Sequence, residues 1–237
     1  MLTGGGEAEQ IPTASFPLWV ATQPKSADRL RLPELETISI SAETVEQAAR
    51  DLAPHLKPTP LQFSRAFTDK TRCQVHLKLE GMQPIRAFKV RGALNKVLRM
   101  PARERAPGVV SASAGNHGMG VAYAALTFGI PATIYVPSNA NQLKIEAIKR
   151  LGARVVEHGR SYQDAFLEAQ RNCGETTFVP AYDDAEVIAR QGAVGAELLA
   201  DVAAFDTVVV PSLAGGLLAG SARSHTPGGE RRTGASG

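Results

Sequence analysis

The pattern of apolar and polar positions switches between two periods along most of the chain. Short apolar runs bounded by Gly or Pro read as strands, and longer stretches with apolar residues three or four apart read as helices. The first clear helix opens at Ser41, placed to cap the run containing Val45, Ala48, Ala49 and Leu52, and Pro54 ends it. Thr44 stands where the acid of a capping box would be, so that signal is partial. Val75-His-Leu-Lys-Leu79 alternates as a strand, Gly81 and Pro84 mark a turn, and a helix follows with Phe88, Leu94, Val97 and Leu98 as its apolar positions. Pro101 and Pro107 bound a connector. Strands are then expected at 108–113, 132–136, 153–156, 177–179 and 207–210. Helices are expected after a tight turn at 114–118, at 141–151, at 161–173 and over most of 185–200. Strands alternating with helices imply parallel sheets built from βαβ units.

The two ends break this pattern. Residues 1 to about 38 carry Gly4-Gly-Gly6 and four prolines and read as a disordered extension. From Arg223 onward no apolar period remains, which reads as a disordered tail.

Composition changes this picture little. The chain has 237 residues, 43% hydrophobic and 21% charged, with a net charge of +3 and acids and bases interspersed. A clustered basic footprint for nucleic acid is missing, no apolar run has the length of a membrane span, and no signal-peptide order is present at the N-terminus. Cys73 and Cys173 are too few for a metal framework, so no metal is expected, and a reducing, cytoplasmic setting is the simpler expectation.

Candidate chemistry sits in three loops. Lys89 falls in the first turn of its helix, where a helix N-terminus attracts an anion and where a desolvated amine becomes nucleophilic. Ser111-Ala-Ser-Ala-Gly-Asn-His-Gly118 joins a strand to a helix, the place where open α/β sheets bind ligands. Its Gly115 and Gly118 would let the backbone approach a ligand, and Asn116 offers an amide. Pro211-Ser-Leu-Ala-Gly-Gly216 is a similar junction, whose small residues could form a nest of N–H groups for phosphate.

Together these stretches carry a resemblance. Pro58-Thr-Pro-Leu61, Lys78-Leu-Glu80, Phe88-Lys-Val-Arg-Gly-Ala93, Ser113-Ala-Gly-Asn-His-Gly-Met-Gly120, Ala181-Tyr-Asp-Asp184 and Gln191-Gly192 resemble the fold-type-II pyridoxal-phosphate enzymes, and among them the threonine/serine dehydratases and serine racemases, over about residues 41–220. The resemblance implies an α/β, tryptophan synthase β-like fold with two open, mostly parallel sheets and flanking helices. A small domain would span 108–185. A larger, incomplete one would be assembled from 41–107 and 186–222. It implies pyridoxal 5′-phosphate held by Lys89 in Schiff-base linkage, with Phe88 packed on its ring and Asn116 on the ring oxygen. Leu213, Ala214, Gly215 and Gly216 would lie around the phosphate. Ser113, Ala114, Gly115, Asn116 and His117 would hold the substrate carboxylate through backbone N–H groups.

The implied activity is dehydration and deamination of L-threonine or L-serine to a 2-keto acid and ammonia, by a homo-oligomer acting on small amino acids. The alternatives are an inactive, truncated paralogue serving as a binding or interaction protein or without function, and more weakly a serine racemase or β-replacement enzyme.

Three departures from the family pattern stand out. Ile85-Arg86-Ala87 replaces a Thr-Gly-Ser-type run. Leu213-Ala214 replaces two glycines. The chain ends soon after Gly220, so an unfinished sheet and poor solubility are expected.

Overall fold

In the computed structural model the described residues are 41–182, 184–202, 205–211 and 216–223. The expected N-terminal extension, the C-terminal tail, and Leu213, Ala214 and Gly215 lie outside them.

The centre is a four-stranded parallel sheet in the order β5-β4-β3-β6, formed by β3 (Val109–Ala112), β4 (Ala132–Val136), β5 (Arg154–Glu157) and β6 (Thr177–Phe178). The register pairs Val109 with Ala132 and Ala112 with Tyr135 on one side of β3, and Val110 with Phe178 on the other. Strand alternation divides the core into two layers. Val109, Ile134 and Val136 face one layer, with Val90, Leu94 and Val97 of α3 (Lys89–Arg99), Val121 and Ala125 of α5 (Asn116–Phe128), and Ile145 and Ile148 of α6 (Gln142–Arg150). Val110, Ala112 and Tyr135 face the other, against Ala165 and Ala169 of α7 (Tyr162–Arg171). Helices on both faces of a parallel sheet are the α/β arrangement expected of this sequence.

Local chemistry explains the boundaries. Ser41 caps α1 (Ala42–Leu52) by accepting from the Thr44 N–H at 3.2 Å. Ser161 and Asp164 form a full capping box at the start of α7. Asn141 caps α6, and Gly129 ends α5 in the left-handed conformation.

Four differences from the sequence reading are instructive. Leu61–Phe63 (β1) pairs antiparallel with His76–Lys78 (β2), joined by a short helix α2 (Arg65–Thr71). Three residues are too few for alternation to show. The connector after Pro101 holds one helical turn, α4 (Ala102–Arg105), also shorter than any helical period. The stretch expected to be mostly helix over 185–200 is so, but as two helices, α8 (Ala185–Gln191) and α9 (Ala193–Asp201), broken at Gly192. There α10 (Gly216–Arg223) crosses, and a Cβ on Gly192 would stand 2.5 Å from the Gly220 carbonyl oxygen.

Finally, Thr207–Val210 is not a buried strand. It pairs with no strand among the described residues, and Val209 is 89% exposed. An apolar run becomes a strand only where a neighbour offers N–H and C=O groups.

Candidate active site around Lys89

Three helices begin near one another. Lys89 is the first residue of α3, Asn116 of α5 and Gly216 of α10. A Cβ on Gly120 of α5 would lie 3.2 Å from the Lys89 carbonyl oxygen, so the α5 start lies against the α3 start. The buried Gln191 side chain stands between Gly92 of α3 and Gly216 of α10, within 3.4 Å and 2.6 Å of the Cβ positions those glycines lack. The first-turn N–H groups of each helix have no intrahelical acceptor, so the region collects donors and partial positive charge.

Lys89 is partly buried. Its Nζ donates to the Ala181 carbonyl at 2.8 Å and lies 5.5 Å from the centre of the Phe88 ring. It makes no ion pair among the described residues. Burial lowers its pKa below the ordinary lysine value, which favours the unprotonated, nucleophilic amine.

His117 is buried at 3% exposure. Its Nε2 lies 3.0 Å from the Val179 carbonyl oxygen, which also accepts from Ser111 Oγ at 2.8 Å, and its Nδ1 has no partner among the described residues. Burial pushes its pKa down to about 4, with the Lys89 charge adding to the effect against the Val179 hydrogen bond. An unfolded histidine titrates near 6.5. Between these values the unfolded chain binds a proton that the fold refuses, so this contribution is complete above about pH 6.5 and is lost as the pH falls toward 4. We expect His117 to make the fold about 3 kcal/mol less stable at pH 4 than at pH 7. Urea unfolding across that range should show a slope that His117→Gln flattens.

Gly118 does something other than admit a ligand. A Cβ there would stand 2.2 Å from the Ser113 carbonyl oxygen and 3.2 Å from Ile134 and Ile148, so its missing side chain lets the loop close on the sheet. Gly115 is far less confined, since a Cβ there would lie 3.8 Å from Ser113 Oγ, and its N–H is held by that same oxygen at 3.2 Å. Asn116 is exposed, and its amide makes no hydrogen bond among the described residues.

The turn before Lys89 carries strain. Arg86 has φ 58°, a left-handed conformation that suits glycine, and it is exposed with no ion pair among the described residues. Left-handed backbone disfavours a side chain by about 1–2 kcal/mol, while glycine gives the unfolded chain about 0.5–1 kcal/mol of extra freedom. Arg86→Gly should therefore stabilise the fold by up to about 1 kcal/mol, read as a higher melting temperature.

Sequence reasoning missed a charge cluster beside the site. Arg91, with 3% of its side chain exposed, forks onto Glu80 through Nε and Nη2 at 2.8 Å each and onto Glu197 at 2.6 and 3.0 Å. Lys78 Nζ reaches Glu197 and Asp201 at 2.9 Å and the Thr59 carbonyl at 2.7 Å, and Thr59 Oγ1 donates to Glu80 at 2.6 Å. Burial opposes the Arg91 charge, but the bonds to Glu80 and Glu197 outweigh it and raise its pKa. The signal was present, since Lys78, Glu80 and Arg91 all belong to the motifs singled out above. Glu197 could not be read as their partner from a distance of 106 residues.

Residues 52–230 match the family described as Pyridoxal-phosphate dependent enzyme. The chain belongs to that family. It is 41% identical over 183 residues to an L-threonine ammonia-lyase of Thermotoga maritima, covering 76% of this chain and 46% of that protein. It is 40% identical over 186 residues to the catabolic L-threonine dehydratase TdcB of Staphylococcus aureus, covering 77% and 54%. Among solved structures, maize serine racemase superposes with a TM-score of 0.76 at 32% identity, over 78% of this chain and 57% of that one. The threonine deaminase of T.th. superposes with 0.73 at 35% identity, over 78% and 60%. The fold is therefore tryptophan synthase β-like, of the threonine dehydratase and serine racemase kind. The chain spans about half the length of the curated relatives it matches. No described helix is long and apolar enough to cross a membrane.

Proposed function

We propose that Lys89 carries pyridoxal 5′-phosphate and that the site dehydrates and deaminates L-threonine or L-serine to a 2-keto acid and ammonia. The observation that carries this reading is the Lys89 amine, held at the start of α3 without an ionic partner among the described residues and depressed in pKa by burial. The residues present suit the cofactor. Asn116 has an amide without a hydrogen-bond partner among the described residues, Phe88 offers an aromatic face beside Nζ, and the α10 start at Gly216 lies close to α3. Of Leu213, Ala214, Gly215 and Gly216, the last alone falls among the described residues.

When bound, pyridoxal phosphate supplies an electron sink for the charge left at the substrate Cα. Lys89 Nζ, freed when the substrate amine takes its place, would then accept the Cα proton as general base. The β-hydroxyl leaves with a proton as water, and hydrolysis of the resulting unsaturated amine releases ammonia and the keto acid. The N–H groups at the α5 start, among Ser113, Ala114, Gly115, Asn116 and His117, hold the substrate carboxylate. Gly115 first has to release Ser113 Oγ. In the same reading residues 108–185 form a small domain, 41–107 with 186–222 form the larger one, and the working form is a homo-oligomer.

Two measurements bear on this. Keto acid should be released from threonine or serine by the purified chain supplied with cofactor; a folded chain that binds cofactor and releases none would favour the binding-protein alternative. Asn116→Ala should weaken cofactor affinity while changing stability by no more than about 0.5 kcal/mol. An unchanged affinity would reduce this loop to an ordinary strand–helix turn.

A further inference from the structure

The chain after β6 holds two side chains of the site on nearby carbonyls. Val179 still belongs to the sheet, since its N–H donates to the Val110 carbonyl at 2.8 Å. Past Ala112 the chain stays tied to β4, the Ser113 N–H donating to the Tyr135 carbonyl at 3.0 Å. The Val179 carbonyl is taken by Ser111 Oγ at 2.8 Å and by His117 Nε2 at 3.0 Å. Two residues on, the Ala181 carbonyl accepts from Lys89 Nζ at 2.8 Å. Further along, Asp184 fixes the chain again by accepting from the Glu186 and Val187 N–H groups at 3.0 Å and by pairing with Lys96 at 2.9 Å.

The histidine is held in one state. Because a carbonyl can only accept, Nε2 carries the proton and Nδ1 is a bare acceptor. That buried acceptor is unpaired among the described residues, an arrangement that opposes burial of the ring. Packing alone would be served better by an apolar ring, so the donor at Nε2 is the feature that distinguishes histidine here.

We propose that His117 is a positioning residue for Lys89, acting through the backbone of 179–181. Its N–H pins the Val179 carbonyl, and the pinned segment presents the Ala181 carbonyl that aims Nζ. This rests on the reading of Lys89 as the reactive amine, so the test includes a measurement that needs no cofactor.

The variants are His117→Phe, which keeps a ring and loses the donor, and His117→Gln, which keeps an N–H donor. His117→Met serves as the donor-free variant if the phenylalanine does not fold. In the cofactor-free arm, lysines are reductively methylated with 13C-formaldehyde and followed by NMR. The Lys89 signal should be resolved from exposed lysines in the wild type and in His117→Gln, and should merge with them in the donor-free variant. In the cofactor arm, borohydride trapping of pyridoxal phosphate at Lys89 should fall about tenfold in the donor-free variant and recover in His117→Gln.

A Lys89 signal unchanged in a donor-free variant that melts cooperatively would overturn the proposal. So would a glutamine variant that behaves like the donor-free one. If the wild type traps no cofactor while the NMR contrast persists, the positioning role stands and the cofactor reading fails.

Discussion

Arg91→Met should destabilise the fold by about 3–5 kcal/mol, because it leaves Glu80 and Glu197 facing each other in a poorly hydrated place without their shared cation. Arg91 forks onto both carboxylates, at 2.6 to 3.0 Å, and Lys78 alone would remain to balance Glu80, Glu197 and Asp201. Since domains are stable by only about 5–15 kcal/mol in total, this one change is expected to remove a large part of the margin. The size of the loss depends on the unpaired carboxylates rather than on the absent arginine. The triple variant Arg91→Met, Glu80→Gln, Glu197→Gln should therefore be more stable than Arg91→Met alone. Urea unfolding of the two variants checks this. Equal midpoints would mean that the carboxylates stay hydrated and that the cluster contributes little.

The cluster also bears on function. Arg91 lies two residues beyond Lys89 on α3, Glu80 lies in the turn that precedes the helix, and Glu197 belongs to α9. It therefore ties the Lys89 turn on both sides to a helix distant in sequence.

The other large effect is chemical. Lys89→Ala should abolish the covalent adduct trapped when borohydride is added in the presence of pyridoxal phosphate, because every other lysine with a described environment lacks the combination found here. Lys78 and Lys96 are each held between two carboxylates, and the pair around Lys96 raises its pKa. Lys89 faces a carbonyl and a ring, and burial works against its charge. Intact mass after trapping gives the result directly. An adduct formed at full yield in Lys89→Ala would put the linkage elsewhere and remove the central residue of the account.

Much of this was legible in the chain. The strands at 109–112, 132–136, 154–157 and 177–178 announce themselves because each is a short apolar run closed by Gly or Pro, and Ser41, Asn141 and Ser161 mark helix starts by their side chains. Arg86 was legible as a departure, since a non-glycine residue occupies a turn position that the structure places at φ 58°. What the sequence could not disclose depends on partners far away. Val208-Val209-Val210 has the composition of a strand, yet strand formation is decided by a neighbour, and none among the described residues lies beside it. The glycines mislead for a related reason. Gly118 suggests room for a ligand, whereas its space is filled by the Ser113 carbonyl, and only tertiary packing distinguishes the two uses. His117 enters the sequence reading for its backbone N–H, while its side chain, buried on the Val179 carbonyl, proves to be the more informative part.

The most direct test of the central claim is an absorbance titration of the purified chain with pyridoxal phosphate. A saturable long-wavelength band is expected, distinct from that of the free cofactor, which is lost in Lys89→Ala while the protein still melts cooperatively. A spectrum equal to the sum of protein and free cofactor, from a chain that is folded by the same melting criterion, would contradict it.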